Sequence, residues 1–452
     1  DLERGFLLLD DFGSTTYLAR LGALDANADA LYRDAIDALL ALQAASRPGV
    51  FPDYDRALLE RELGLERARP LLGGEVPVWH WSFRFVRPLE KEELRAFVAP
   101  SGELLSFRRL LPEEAPGGDP GPARARTLAE ETLREHRGLD AATLKLVEAK
   151  EERRPARVDR TFVWESPTAA WKGAAMRYLV EVQGDQVGRS TLWLEVPEAW
   201  RREYAALRSK NHAAGAAATF GLVLTAVALV AAFFGRLRRR DVPWRTAIGF
   251  GLAGAALQAA SSLNELPLTL FGYDTTESWG SFAGQAVLAD LGSACLLGVA
   301  LLLLVAGGEP EYRQAYPDKP ALGRLFTRQA FGTKRFFLGL LAGYALTAGF
   351  FAWQVLFYLS AERLGAWSPA DVPYSNLLGT AFPWLGVLVM GFVPATTEEF
   401  SSRMFSIPFL QRFAPTWLAV GVPALIWGFA HAGYPNQPFW VRGVEVGLAG
   451  GV

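Results

Sequence analysis

Beyond His212 the chain is a series of apolar runs, and five of them approach the length of a helix that crosses a bilayer, about 20 residues. They cover roughly 213–235, 244–263, 284–306, 336–360 and 379–397, with a sixth at 416–432 and a seventh starting near Val444. Residues 1–210, by contrast, are rich in Arg, Glu and Asp. The overall 50% of hydrophobic residues therefore averages a soluble half and a membrane half. The expected fold class is an α-helical polytopic membrane domain preceded by an α+β domain. The other use of such helices, as the buried core of a large soluble protein, fits poorly with their length and with the charges between them.

Those charges alternate. The first connection carries Arg236, Arg238, Arg239, Arg240 and Arg245, and the third carries Arg313, Lys319, Arg324, Arg328, Lys334 and Arg335. The second, 264–283, has Glu265, Asp274 and Glu277 but no basic residue, and the fourth, 361–378, has only Arg363. Basic loops stay in the cytoplasm, so 236–245 and 309–335 are assigned there and the soluble half is expected outside. The domain expectation is 1–208 extracytoplasmic, 209–335 three spans with their cytoplasmic loops, and 336–452 a helical core. Both Asp1 and Val452 read as cut ends, with a signal or anchor expected upstream. A net charge of −2 gives no basic surface for nucleic acid, and the lone Cys295 allows no disulfide framework.

In the soluble half, Val76–Phe85 alternates, Pro100-Ser-Gly102 turns, and Glu103–Phe107 resumes, which predicts two strands over 76–111. A helix is expected over Arg124–Arg137, then strands over Arg160–Trp164, Met176–Val182 and Val187–Val196. The second strand–Gly–strand block is like the first, so two repeats of a helix on an antiparallel sheet are expected, about 1–112 and 123–200. The pattern resembles the small extracytoplasmic domains of the PepSY type. His80 and His136 have no partner at a metal-ligand spacing. No catalytic signal stands out in this half, and an extracytoplasmic ligand or substrate is its expected partner.

Chemistry is concentrated further on. No charge occurs from Val372 to Thr397; then Glu398, Glu399 and Arg403 arrive together, and His431 follows in the apolar run Trp417–Ala432. Ionisable groups cost roughly 2.5–3.5 kcal/mol each at mid-membrane on insertion scales and usually mark function. On a helix Glu399 and Arg403 share a face four residues apart, which leaves Glu398 unpaired. Arg412–Thr416 reads as a turn between two helices. In that hairpin Glu398 and His431 fall at the same depth, about 24 Å from the turn at 1.5 Å per residue. A Glu and a His that meet in a dry site can activate a water, with or without a metal, and Arg403 can orient a carbonyl or carboxylate. A structural ion network and a transporter's proton relay use the same residue types. The chain has no His-Glu-x-x-His and no Gly-x-Gly-Asp, and Ser281 would have to meet His431 to form a dyad. Past His431, Pro435 and Pro438 end any regular helix. That segment either lines a wet cavity or is an ordinary loop at the membrane face.

Glu398-Glu399-x-x-x-Arg403 followed by Trp427-x-x-x-His431 resembles the CPBP intramembrane proteases, which include the type II CAAX prenyl endopeptidases of the Abi group. The family's pattern is EExxxR, FxxxH and a later HxxxN. Here the first motif is complete, Trp427 stands in the usual place of Phe, and the third motif, with a further His and an Asn, is expected beyond Val452, where the given chain stops. The resemblance covers about 336–452 and implies a CAAX-protease-like helical bundle in a bacterial inner membrane. It implies an endopeptidase acting on a membrane-associated protein or peptide, in which Glu398 and His431 activate water and Glu399 and Arg403 support the site. If a metal such as zinc takes part, Glu398 and His431 would be its ligands. A non-catalytic receptor or regulator on the same scaffold, and a transporter with a Glu–His relay, are the alternatives.

Overall fold

The computed structural model describes residues 80–99, 102–167, 174–368 and 376–451, which fall into two compact units meeting at Val196 and Pro197. Most of the expected first repeat, residues 1–79, lies outside the described residues.

In the first unit a seven-stranded antiparallel sheet has the order β1-β2-β3-β7-β6-β5-β4. The strands are β1 Trp81–Val86, β2 Glu93–Val98, β3 Leu104–Leu110, β4 Lys145–Arg153, β5 Val158–Glu165, β6 Ala175–Gln183 and β7 Gln186–Glu195. β3 and β7 join the two halves through Phe107↔Ser190 and Arg108↔Arg189. Helix α1, Pro122–Arg137, starts with Pro in its first turn and stops at Gly138, whose φ is 63°; the Gly138 N–H donates to the Arg134 carbonyl and the Leu139 N–H to the Leu133 carbonyl, which closes the end. Its buried stripe Ala125, Ala129 and Leu133, at i, i+4 and i+8, packs on Phe162, Trp164, Val180 and Val182. Small residues on the helix let it approach the sheet, and the bulky residues come from the strands.

Two sequence expectations change here. The stretch 76–111 holds three strands among its described residues rather than two, because the Glu90 N–H turns back onto the Arg87 carbonyl and separates β1 from β2. β4 was missed because its burial is slight and its sequence, Lys-Leu-Val-Glu-Ala-Lys-Glu-Glu-Arg, is mostly charged. It is the sheet's edge, where charge protects against pairing with another chain.

The second unit is helical: α2 Glu198–Arg238, α3 Trp244–Leu270, α4 Trp279–Ala315, α5 Lys334–Arg363, α6 Pro383–Glu399, α7 Thr416–Ala430 and α8 Val441–Gly451. Among the described residues five helical segments, α2 to α5 and Thr416–Gly433, are long and apolar enough to cross a membrane. The run expected at 379–397 appears as α6, of 17 residues. It continues into wider π-helical turns at Phe400–Ser406 and an α-helical turn at Ile407–Leu410. Pro408 has no N–H to give back along the helix, and a widened turn just before it accommodates that loss.

α4 is the central post. Gly251 of α3 and Gly298 of α4 meet backbone to backbone; a Cβ on Gly251 would lie 2.7 Å from the Gly298 carbonyl oxygen. Between two and three turns further along α4, Gly307 and Gly308 admit Leu229 of α2 and Met404 and Phe405 of the π-helical segment. The third span, expected to end at 306, runs on through Pro310 to Ala315. Its last turns carry buried Glu309 and Glu311. Glu311 takes Arg236 of α2 at 2.8 Å and also pairs with Arg412, so one charged cluster ties the ends of α2, α4 and the π-helical arm together.

Candidate active site

The charged set lies where α6 passes into the π-helical turns. Glu399 and Arg403 are bonded to each other, as their spacing predicts, and both are about half exposed. Arg403 also reaches toward the Gly450 carbonyl of α8, at 3.5 Å. Glu398 takes a different partner. It is half-buried, and it is not the unpaired carboxylate that spacing alone suggests: its Oε2 accepts the indole N–H of Trp427 at 2.9 Å.

His431 caps the C-terminal end of α7 and begins a single 3-10 turn, His431–Gly433. Its Nδ1 lies 2.9 Å from the Trp427 carbonyl oxygen. A carbonyl only accepts, so Nδ1 carries the proton and a neutral ring keeps its lone pair on Nε2. No hydrogen bond joins Glu398 to His431 directly. Trp427 stands between them, with its side chain on one and its backbone on the other.

The segment after His431 is held by α2. Asn211, fully buried, donates through Nδ2 to the carbonyls of Ala432, Tyr434 and Asn436 at 3.0, 3.0 and 3.1 Å, and accepts from Gln437 Nε2 at 2.6 Å. Arg208 donates to the Gly433 and Tyr434 carbonyls at 2.7 and 2.9 Å. Trp367 and Gln437 exchange backbone hydrogen bonds at 2.8 and 2.7 Å. Carbonyls of a segment that leaves a helix need donors from protein or water, and here α2 supplies protein partners.

A second polar group lies beyond His431. Tyr434 stacks on the His431 ring at 6.2 Å, and the Arg442 guanidinium sits over Tyr434 at 5.3 Å. Arg442 pairs with the fully buried Glu445 at 2.7 Å and donates to the Tyr358 hydroxyl at 3.3 Å. Sequence reading passed over this pair, although Arg442-x-x-Glu445 in an apolar, Gly-rich helix carries the same signal as 398–403. Asn211 offered no such signal; a polar residue near the start of a long helix is common.

Among the described residues no three of His, Cys, Asp and Glu converge as a metal site would need. Catalytic zinc takes three protein ligands. Glu398 and His431 offer two, so the described residues do not fit a metal. A cavity of about 480 Å³ lies between α3 and the start of α6, bounded by Asn264, Thr380 and Phe382, and does not reach Glu398 or His431.

Residues 380–452 match the family model described as type II CAAX prenyl endopeptidase, Rce1-like. A stretch of 65 residues is 55% identical to the N-acetylmuramate/N-acetylglucosamine kinase of Pseudomonas putida, covering 14% of this chain and 19% of that protein. The kinase of the same name from Pseudomonas aeruginosa is 54% identical over 65 residues, with the same coverage. That from Neisseria meningitidis is 46% identical over 67 residues, 14% of this chain and 20% of the kinase. The chain thus spans about a fifth of the length of the curated relatives it matches. No solved structure is a significant match.

Proposed function

We propose, on the premise of the endopeptidase match, that residues 380–451 form the catalytic core of an intramembrane protease that hydrolyses a peptide bond in a membrane-associated protein or peptide. The observation that carries this is the arrangement around Trp427. Within the matched segment a carboxylate and an imidazole are bound to the two sides of one residue, each with an acceptor atom left over. Those atoms are Oε1 of Glu398 and Nε2 of His431. Water held between such acceptors gives a proton to Glu398 as its oxygen bonds to the peptide carbonyl carbon. The C–N bond then breaks, and the proton passes to the leaving nitrogen. Arg403, neutralised by Glu399 yet half exposed, is placed to orient a substrate carbonyl or carboxylate. No step is routed through a metal.

The protein is proposed to sit in a bacterial inner membrane. The basic ends of α2 and α4 would face the cytoplasm and the sheet unit would lie outside, where it binds a ligand or substrate. The two repeats of PepSY type belong to the same proposal. No specific observation favours a non-catalytic scaffold or a transporter.

The test uses the full-length protein in lipid vesicles with a fluorogenic farnesylated CAAX peptide. Glu398→Gln and His431→Ala are each expected to lower the rate at least a hundredfold, in line with the 10²–10⁴-fold that a positioned acid or base contributes. Cleavage by both variants at the wild-type rate would end the proposal.

A further inference from the structure

Trp427 differs from the phenylalanine that the EExxxR–FxxxH pattern carries at this place, and the difference is one atom group: an indole has an N–H and a phenyl ring has none. That N–H is the donor to Glu398 Oε2. The half-buried ring behind it is backed by α8. A Cβ on Gly450 would fall 2.6 Å from Trp427 Cε3 and 2.8 Å from Cζ3, so the indole lies flush against bare backbone of α8. On its third side the ring meets His431 edge-on at 5.3 Å. Glu398, His431 and α8 therefore box the indole in.

We propose that Trp427 is a positioning residue for Glu398. Its N–H fixes Oε2 so that Oε1 is the oxygen turned to water, and Gly450 is the backstop that keeps the N–H aimed. This rests on the hydrolase function proposed above. A carboxylate on a flexible side chain has many rotamers, and one donor on a wedged ring removes most of them. Phenylalanine would fill the space and leave the carboxylate loose. The same logic makes Gly450 specific, because any side chain there displaces the ring.

The test uses the full-length chain in vesicles and the farnesylated peptide. Trp427→Phe is expected to lower kcat roughly ten- to hundredfold while KM stays within about twofold, because Trp427 touches the acid–base group and not the substrate. Trp427→3-benzothienylalanine keeps the shape of the indole with sulfur in place of N–H, so it isolates the hydrogen bond if Trp427→Phe folds poorly; the same loss of kcat is expected. Independently of activity, the ¹⁵N-indole resonance that disappears in Trp427→Phe is expected to shift upfield in Glu398→Ala. A wild-type kcat in the benzothienyl variant overturns the proposal, as does a resonance that Glu398→Ala does not move. A wild type that cleaves nothing overturns the hydrolase function and this catalytic role with it, while the resonance still decides whether Trp427 and Glu398 are bonded.

Discussion

Asn211 carries more of the site than its type suggests. One amide holds three carbonyls of the segment that follows His431. Asn211→Ala would leave the Ala432 and Asn436 carbonyls without that donor, while Tyr434 keeps Arg208, and each buried orphan costs about 1–3 kcal/mol. The expected outcome is a clear drop in the thermal midpoint of the detergent-solubilised protein. Asn211→Asp should be no better, since a carboxylate cannot donate. A wild-type midpoint in both would mean that the segment is held elsewhere. In the sheet unit Glu93 has a similar concentration of contacts. Burial pushes its carboxyl up, but Arg84 at 2.6 Å and Arg95 outweigh that and hold it below the ordinary carboxylate range. A lowered folded-state pKa adds stability that is present above the unfolded value of about 4.3 and is lost as pH falls through the folded value. The protection factors of the β1 and β2 amides in the full chain, taken relative to the intrinsic exchange rate at each pH, should therefore fall on acidification below that point, and Glu93→Gln should flatten the response. The charged residues of the site were legible in the sequence because they interrupt an apolar run. Their partners were less so: the Asn211 contacts cross more than 220 residues, and nothing local announces them.

At the scale of elements, the spans were legible because twenty apolar residues in a row is a one-dimensional signal. Their ends were not, since a helix such as α4 keeps going through Pro310 once its charged turns find partners on α2. β4 escaped for the opposite reason, having almost no apolar face to show. The join between α7 and α8 is made by glycines. A Cβ on Gly428 would lie 2.3 Å from the Gly443 carbonyl oxygen, and Gly447 lies alongside. Small residues that let backbones approach are a main means of packing helices in lipid. Gly421, about two turns earlier on the same helix, has open space. Gly428→Ala is expected to destabilise by about 1–3 kcal/mol through overpacking. Gly421→Ala should be neutral or slightly stabilising, since Ala is the better helix former. Equal midpoints for the two variants would contradict this packing.

For the whole molecule, the charged clamp at Arg236, Glu311 and Arg412 marks one end of the helical unit, and the proposed topology puts that end in the cytoplasm. Cys295 is the only cysteine, so a Cys295→Ser chain gives a clean background for labelling. In that background Asp185→Cys, in the turn between β6 and β7, should react with an impermeant maleimide added to intact spheroplasts. Arg239→Cys, after α2, should not. The reverse pattern would invert the topology without touching the site. The central claim is that Glu398 and His431, held apart and aligned by Trp427, activate a water against a peptide bond. The most direct measurement is cleavage of the farnesylated peptide by the full-length protein in vesicles made up in H₂¹⁸O, followed by mass spectrometry of both products. One ¹⁸O in the new C-terminal carboxylate from the wild type, and no product from Glu398→Gln, is the predicted result. Product formed by Glu398→Gln at the wild-type rate would contradict the claim.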